Sequence, residues 1–406
     1  MSIVNSKSSG ANYKWYVLTL AGLTHTFVAA MPLMSMPVLF KEISEDLGLS
    51  LVQVGEAWGA ISLGSILVVL VGGLLGDWFG VKRTLGTLCF LGGLAVALVG
   101  LSGSFGSLVA TMFLFGLVGV SIPINVHKSA GVWFPGRQLG LANGIVALGF
   151  GLGTTAGAMI SATILSPLLG GWRHVLFLYG AISIVISILW LLTRSEPSEA
   201  QSSTPSSRPV ALRQALSQVI HIRIVWFLGL MLLCQMACVQ GVIGYLPLYL
   251  RDVGWTTASA DGTLAAASAA STMVVIPVAF LSDKLGSRKI VLLAAVLMTA
   301  IGVGLLSVVN GAMVWVSAIV ALASRDGFVA VLFTMIIETR GIGAVYAGTA
   351  IGLAMALSRV GSIISPPLGN SLASANPSLP FIFWAALGAM ALVSLYFVKE
   401  TGRGQQ

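Results

Sequence analysis

Two adjacent charged residues, Arg325 and Asp326, stand in the middle of the apolar segment ALASRDGFVAVLF. An ionised side chain is costly in apolar surroundings, so it usually has a partner or a function there. The planar guanidinium of Arg325 matches a carboxylate or nitrate group, and the carboxyl of Asp326 can take up and release a proton. The sequence therefore predicts that Arg325 binds an anionic group and that Asp326 carries a proton. The alternative is that both residues pair with other helices as structural contacts.

Arg359 and His25 are the next candidates, in the apolar segments MALSRVGSIISPPLGN and GLTHTFVAAM. Arg359 is a second candidate for binding an anion, and its alternative role is to donate to carbonyls that Pro366 and Pro367 leave free. The histidine side chain ordinarily changes charge near neutral pH, which makes His25 a candidate for both solute binding and proton coupling. Its alternative role is that of a neutral ring packed against a neighbour.

Neutral polar side chains within the apolar segments form a further group of candidates. Amide and hydroxyl groups at such positions either line a binding cavity or join helices, and the sequence leaves both readings open. The candidates for solute binding are Asn125, Gln235, Gln240 and Tyr245. Lys128, close to Asn125, either attracts anions or extends to a polar interface.

The composition shows which elements position these residues. Only 8% of the 406 residues are charged, 57% are hydrophobic and the mean hydropathy is +0.97. About 20 mostly apolar residues cross a bilayer as a helix, which pairs its own backbone groups. The sequence predicts twelve transmembrane helices, at 15–40, 53–76, 84–102, 107–130, 139–165, 174–193, 223–250, 261–281, 290–309, 312–337, 343–369 and 379–398.

A segment rich in Ser, Pro and charge, 194–222, predicts a cytoplasmic linker between the bundles 1–193 and 223–406. The two bundles carry matching stretches. MPVLFKEI at 36–43 parallels LPLYLRDV at 246–253, and LLGDWFGVKR parallels FLSDKLGSRK after the second helix of each half. The fold class predicted is thus an all-α integral membrane protein of two pseudo-symmetric six-helix bundles. Such bundles can rock about a central site and open it alternately to each side of a membrane.

The basic residues are distributed unevenly between the two sides of the membrane. Of the 21 Lys and Arg, Arg325 and Arg359 fall within predicted helices, and Lys41, Arg173 and Arg251 fall on one side. The remaining sixteen fall on the other side, which the positive-inside rule assigns to the cytoplasm. The sequence therefore predicts a multi-pass protein of the plasma or inner membrane with both termini cytoplasmic. The net charge of +8 reflects this orientation rather than nucleic acid as a partner.

The segment GGLLGDWFGVKR resembles the signature loop between helices 2 and 3 of the major facilitator superfamily (MFS). The stretches WFPGRQLGLANGI and GYLPLYLRDVGW are also similar to segments of many members. The resemblance implies the MFS fold, alternating access and a conformational-switch loop that stabilises the outward-open state; a plain topology anchor is the alternative for its basic residues. The residues that match this loop and its second-half copy are Gly73, Asp77, Gly80, Lys82, Arg83, Asp283, Gly286 and Arg288.

Two differences from the sequence patterns of the superfamily concern the transported solute. Helix 5 reads GFGLGTTAGA and lacks the Gly-Pro pair common in drug antiporters of the superfamily, and helices 2 and 8 lack the paired arginines of its nitrate transporters. The predicted function is transport of a small organic anion with protons, by a functional monomer. One alternative is efflux of a hydrophobic or cationic compound attracted by Asp326 and Glu56. Another, of a different class, is a sensor that binds a solute without moving it.

No Gly-rich phosphate loop with its Lys and Ser or Thr follows a strand, so transport is expected to draw on an ion gradient rather than on ATP. The three cysteines, Cys89, Cys234 and Cys238, lie in apolar segments and show no metal-binding spacing. The four histidines are scattered along the chain. We therefore expect neither an enzyme nor a cofactor, and the predicted partners are the lipid bilayer, a small solute and the proton.

Overall fold

The computed structural model describes residues 4–69, 72–134, 136–193, 212–339, 341–398 and 400–401. In these residues, twelve helices are long and apolar enough to cross a membrane, which confirms the predicted number. We name them α1 to α12 in chain order. Their bounds are Tyr13–Leu47, Leu51–Val68, Val81–Gly100, Phe105–Trp133, Leu139–Leu169, Trp172–Leu192, Arg223–Asp252, Thr257–Leu285, Arg288–Leu305, Ala312–Glu338, Tyr346–Leu372 and Leu379–Phe397.

Several of these helices are interrupted. Departures from α-helical pairing inside a membrane helix free backbone groups or reorient side chains, and π segments often mark functional positions. The interruptions are a π-helix in α1 (Thr24–Ala30), a π-helix in α5 (Ser161–Leu165), and single-residue breaks in α4 (Phe105–Gly119, then Ser121–Trp133) and α10 (Ala312–Ala323, then Arg325–Glu338). A short helix, Gly72–Phe79, follows α2 in the chain.

Local sequence fixes where the helices end. Gly48 has φ +64° and ends α1. Ser50 precedes α2 and forms a capping box: its hydroxyl accepts from the Gln53 backbone N–H, and the Gln53 side chain accepts from the Ser50 backbone N–H. Gly80 has φ +78° and allows the sharp turn from Gly72–Phe79 into α3. The loops are accordingly short, and the predicted boundaries agree with the observed ones to within a few residues at most ends.

The predicted linker contains one element that the sequence analysis did not anticipate. Helix Leu212–Ile220 packs against α11 through an apolar stripe that includes Ala215 and Val219, four residues apart. Residues 194–211 lie outside the described part of the chain. The domain boundaries at 193 and 223 stay predictions.

Equivalent helices pack in equivalent ways in the two halves. Contacts of α2 with α4 and α3 with α6 in the first half correspond to contacts of α8 with α10 and α9 with α12 in the second. Between the halves, α2 packs on α11 and α5 packs on α8, which are also equivalent pairs. The structure therefore has the internal two-fold relation that the repeated segments predicted.

Glycines allow the two halves to approach closely. A Cβ atom added to Gly55 on α2 would lie 2.8 Å from the backbone of Pro366 and Pro367 on α11, and one added to Gly59 would lie 2.7 Å from the carbonyl oxygen of Ile363. Because no side chain intervenes, backbone packs on backbone along this seam.

The bonds between the halves are concentrated at one end of the bundle, where α1 ends, α2 begins, α7 ends and α8 begins. We call this the sealed end. Between described residues, the hydrogen bonds that join the halves all lie on this side, and they run from Lys41 to Asp252, Trp58 to Gln240, Thr163 to Asp261, Arg251 to Val38 and Asn370 to Leu51. The opposite end, which carries the loops before α3 and before α9, shows no such bond between described residues.

Gly116 on α4 tests how tightly the helices of the first half pack. Its α-hydrogen faces the carbonyl oxygen of Ile61 on α2, and a Cβ atom there would overlap that oxygen. We expect Gly116→Ala to destabilise the protein by about 1–3 kcal/mol, because the two backbones must separate. Thermal unfolding in detergent measures this effect.

Gly119→Ala, on the same helix, is the matched control, since nothing lies within 4 Å of the added atom. A fall in melting temperature of the same size in both variants would show that helix propensity or handling, and not the α2–α4 contact, causes the change.

Candidate functional site

The chain breaks its helical hydrogen bonding at Ser324, directly before the charged pair in α10. The Nε of Arg325 donates to Oδ1 of Asp326 at 3.0 Å, and an Nη donates to Oδ2 at 3.2 Å. The side chain of Arg325 is 11% exposed and that of Asp326 is 35% exposed. Neighbouring residues of a regular helix point about 100° apart. Here the two side chains nevertheless bend toward each other and bond, so the positive charge of Arg325 is already neutralised.

Asp326 has a second partner on α8. Ser271 donates its hydroxyl to Oδ2 of Asp326 at 2.7 Å and accepts from the Asp326 backbone N–H at 3.3 Å. The next residue on α8, Thr272, packs against Gly151 on α5 of the other half. Ser271, which bonds to the charged pair, is therefore next in sequence to a residue that contacts the other bundle.

Arg359 lies at the middle of α11 and differs from Arg325 in having no partner among the described residues. Its Nε is buried with no hydrogen-bond acceptor, and it forms no ion pair or hydrogen bond among the described residues. The predicted alternative, donation to carbonyls near Pro366 and Pro367, is not observed. Ile363, one helical turn further along α11, contacts Gly59 on α2. Because residues i and i+4 share a helix face, Arg359 lies on the face of α11 that is directed at the first half.

The ring of His25 is buried in the π-helix of α1, and its Nδ1 lies 2.9 Å from the carbonyl oxygen of Val146 on α5. A carbonyl only accepts, so this nitrogen carries a hydrogen. The ring of His127 on α4 lies 5.5 Å from that of His25, edge to face, and hydrogen bonds to the side chain of Asn143 at 3.0 Å. His127 is exposed although it stands among α1, α4 and α5. The sequence analysis did not select His127, and no local pattern signals the pairing.

Most of the neutral candidates form hydrogen bonds within their own bundle. Asn125 is fully buried and donates its amide to the carbonyls of Gly72 and Ser121. Gln235 donates to Thr299 on α9 at 2.7 Å, and Tyr245 donates to the carbonyl of Pro377 at 3.0 Å.

Gln240 is the exception among these candidates. Its backbone carbonyl accepts from Trp58 on α2 at 3.0 Å, and its side chain is half-buried with no partner among the described residues. It is the neutral candidate whose side chain is still available to a solute.

Glu56 lies on an exposed face of α2 together with Leu63 and Leu67. The three positions are spaced by seven and then four residues, so they share one face of the helix. This exposed, largely apolar face suits contact with lipid rather than a central cavity. Asp326 is paired with Arg325. Glu56 thus lies on the outer face of α2, and the negative charge of Asp326 is already paired in this conformation.

In the predicted switch loop of the first half, an ion pair and a hydrogen bond between described residues join elements of that half. Asp77 forms an ion pair with Lys128 on α4 at 2.7 Å, and Lys82 donates to the carbonyl of Thr193 at the end of α6. Gly73 belongs to the short helix Gly72–Phe79, and the Arg83 side chain is exposed. These contacts join the short helix Gly72–Phe79 to α4, and α3 to the end of α6, at the opposite end.

The copy in the second half is a denser network of charges. Arg288 bonds to Asp283 at 2.6 Å and to Glu338, at the end of α10, at 3.0 Å. The carboxylate of Glu400 accepts from the backbone N–H groups of Arg288 and Lys289 and so caps the start of α9. Gly286 has φ +63° and ends α8.

Comparison with known proteins gives a consistent result. The sequence profile of the Major Facilitator Superfamily matches residues 18–341. A probable nitrate/nitrite antiporter of Thermus thermophilus, NarK1, is 26% identical, and the alignment covers 95% of this chain and 91% of that protein. A probable sulfoacetate transporter of Cupriavidus necator, SauU, is also 26% identical, with 91% and 90% covered.

The fold is similar to that of solved transporters. A bacterial homolog of the human lysosomal transporter Spinster, crystallised in an inward-facing and occupied conformation, superposes with a TM-score of 0.77 at 15% identity, over 95% of this chain and 96% of that one. The present chain has twelve apolar helices in its described residues and two repeated halves, and the family profile matches most of its length. It is therefore a membrane transport protein that belongs to the Major Facilitator Superfamily.

Proposed function

We propose that this chain moves a small organic anion across the membrane by alternating access, with protons as the coupling ion and Arg359 as the anchor for the anion. The observation that carries the proposal is the missing partner of Arg359. The relatives named above are described as transporters of nitrate or nitrite and of sulfoacetate, which are anions.

Arg359 supplies what an anion site needs. A guanidinium at mid-membrane depth is costly unless something compensates its charge. Arg325 has that compensation in Asp326, whereas Arg359 has none among the described residues. A carboxylate or sulfonate can accept two parallel N–H bonds from such a group. The position on the face of α11 directed at the other half places this group where a solute would lie between the bundles.

The arrangement of contacts supports alternating access. Bonds between the halves cluster at the sealed end, and the opposite end lacks them between described residues. If the basic loops are cytoplasmic, as the positive-inside rule requires, the sealed end is external and the structure is an inward-open state. Both termini are then cytoplasmic, and a solute reaches Arg359 from the cytoplasm in this conformation.

The pairing of Arg325 with Asp326 supports the proposed proton coupling. While Asp326 is ionised, it holds the Arg325 guanidinium through two hydrogen bonds. Protonation removes the charge attraction and frees Arg325 for a second contact with the anion. Proton binding and anion binding then strengthen each other, since such a coupling free energy is reciprocal. Ser271 carries the state of Asp326 to α8, next to the contact of Thr272 with α5.

Arg359→Gln should weaken anion uptake roughly 10- to 100-fold, because it removes charge-assisted hydrogen bonds to the solute. Proteoliposomes with an imposed pH gradient and a panel of nitrate, sulfoacetate and other carboxylates measure the uptake. Thermal stability in detergent should stay the same or rise, since the removed charge has no partner. Arg359→Lys should fall between, because an ammonium lacks the planar fork.

Arg223→Gln is the matched control, since Arg223 is exposed at the start of α7 and forms no bond among the described residues. Wild-type uptake by Arg359→Gln would remove Arg359 from the binding site. Uptake of a cationic dye, with no anion moved by the wild-type protein, would contradict the proposed solute class.

Asp326→Asn should abolish accumulation driven by a pH gradient while exchange of anion across the membrane persists, because Arg325 is then permanently free. Accumulation and counterflow in the same vesicles separate the two activities. Ser271→Ala keeps the titratable carboxylate but removes its link to α8, so accumulation should weaken without losing its dependence on the pH gradient. An unchanged pH dependence in Asp326→Asn would assign coupling elsewhere, with His25 as the next residue to test.

A further inference from the structure

The repeated segments at the ends of α1 and α7 meet at the sealed end. Lys41 and Arg251 occupy equivalent positions in MPVLFKEI and LPLYLRDV. The Nζ of Lys41 lies 2.5 Å from a carboxylate oxygen of Asp252 in the second repeat, and Arg251 donates to the carbonyl of Val38 in the first repeat at 2.7 Å. The basic residue of each repeat thus reaches across to the other repeat.

A second layer of contacts lies beneath this pair. Arg251 also forms an ion pair with Asp261 at the start of α8, and the other carboxylate oxygen of Asp261 accepts from Thr163 on α5 at 3.0 Å. The ion pair belongs to the second half, and each of its members forms one hydrogen bond with the first half: Arg251 donates to Val38, and Asp261 accepts from Thr163. We call Arg251, Asp261, Thr163 and the Val38 carbonyl the gate cluster.

The two layers of contacts differ in burial, and burial determines how strongly each stabilises the sealed end. The side chains of Arg251 and Asp261 are 8% and 0% exposed, whereas those of Lys41 and Asp252 are 33% and 43% exposed. Exposed ion pairs contribute little to stability because water and salt screen them. Removing a partner from a buried charge leaves it unpaired and is strongly unfavourable. The gate cluster, and not the outer Lys41–Asp252 pair, should therefore hold the sealed end shut.

We propose that the gate cluster is the lock of the sealed end, and that each transport cycle must break its bonds from Thr163 to Asp261 and from Arg251 to Val38. These residues then determine how often the site opens on that side. This inference rests on the proposed alternating access, and it assigns Arg251, Asp261 and Thr163 a role that does not depend on which anion is carried.

A cysteine reporter tests the lock without any solute. Val54 on α2 is buried one turn inside the sealed end, beside Phe40, Trp58 and Pro366. In a chain whose three native cysteines are replaced by Ala, Val54→Cys should react slowly with a membrane-impermeant maleimide in vesicles of either orientation. Adding Thr163→Val, which keeps the side-chain volume, should speed labelling about tenfold from the sealed-end side, because a hydrogen bond to a charged group is lost. Asp261→Asn should speed it further.

Glu45→Gln is the control, because Glu45 bonds to Lys41 within the first half and is exposed. It should leave the labelling rate unchanged. Equal labelling rates in the protein with and without Thr163→Val would overturn the lock, and so would fast labelling of Val54→Cys in the otherwise unaltered gate. Since the assay needs no anion, failure of every solute in the uptake panel would contradict the proposed function and still leave this test readable.

Discussion

The interior of a membrane offers no water to charged or hydrogen-bonding groups, and this constraint governs the whole structure. It makes every spanning segment a helix, and it makes each ionised side chain inside the bundle conspicuous. Arg251 is compensated by Asp261, and Arg325 is compensated by Asp326. Half-buried Arg359 has no such compensation among the described residues, which is the basis for proposing a partner from outside the chain.

Helix α8 connects the two ion pairs. Asp261, in its first turns, belongs to the gate cluster, and Ser271 holds Asp326. Ten residues of helix separate them by about 15 Å. Both regions of α8 also touch α5 in the other half, through Thr163 and through Gly151. A change in the charge of Asp326 and a change at the sealed end therefore act on one helix, which is a physical route by which proton binding and opening can be coupled.

The sequence predicted the helices, the two halves and their relation, because those features follow from apolar length and from repeated spacing. It could not predict that Arg325 and Asp326 bond to each other, since neighbours on a regular helix point about 100° apart and the pairing depends on the side-chain rotamers. Nor could it separate Asn125 and Gln235, which bond within their own bundle, from Gln240, whose side chain has no partner among the described residues. Such distinctions depend on the rotation of each helix about its axis, and apolar runs without strong amphipathicity do not encode that rotation.

The two halves contribute unequally to the centre of the bundle. In the described spans, the second half supplies Arg325, Asp326 and Arg359 near mid-depth, whereas the first half supplies His25, whose ring is already bonded to a backbone carbonyl. An anion held by the second half would meet mainly uncharged surface on the first half. In the proposed cycle, the first half then moves past the bound solute without breaking an ion pair to it. The bonds that this cycle has to break lie instead at the sealed end, in the gate cluster, away from the solute.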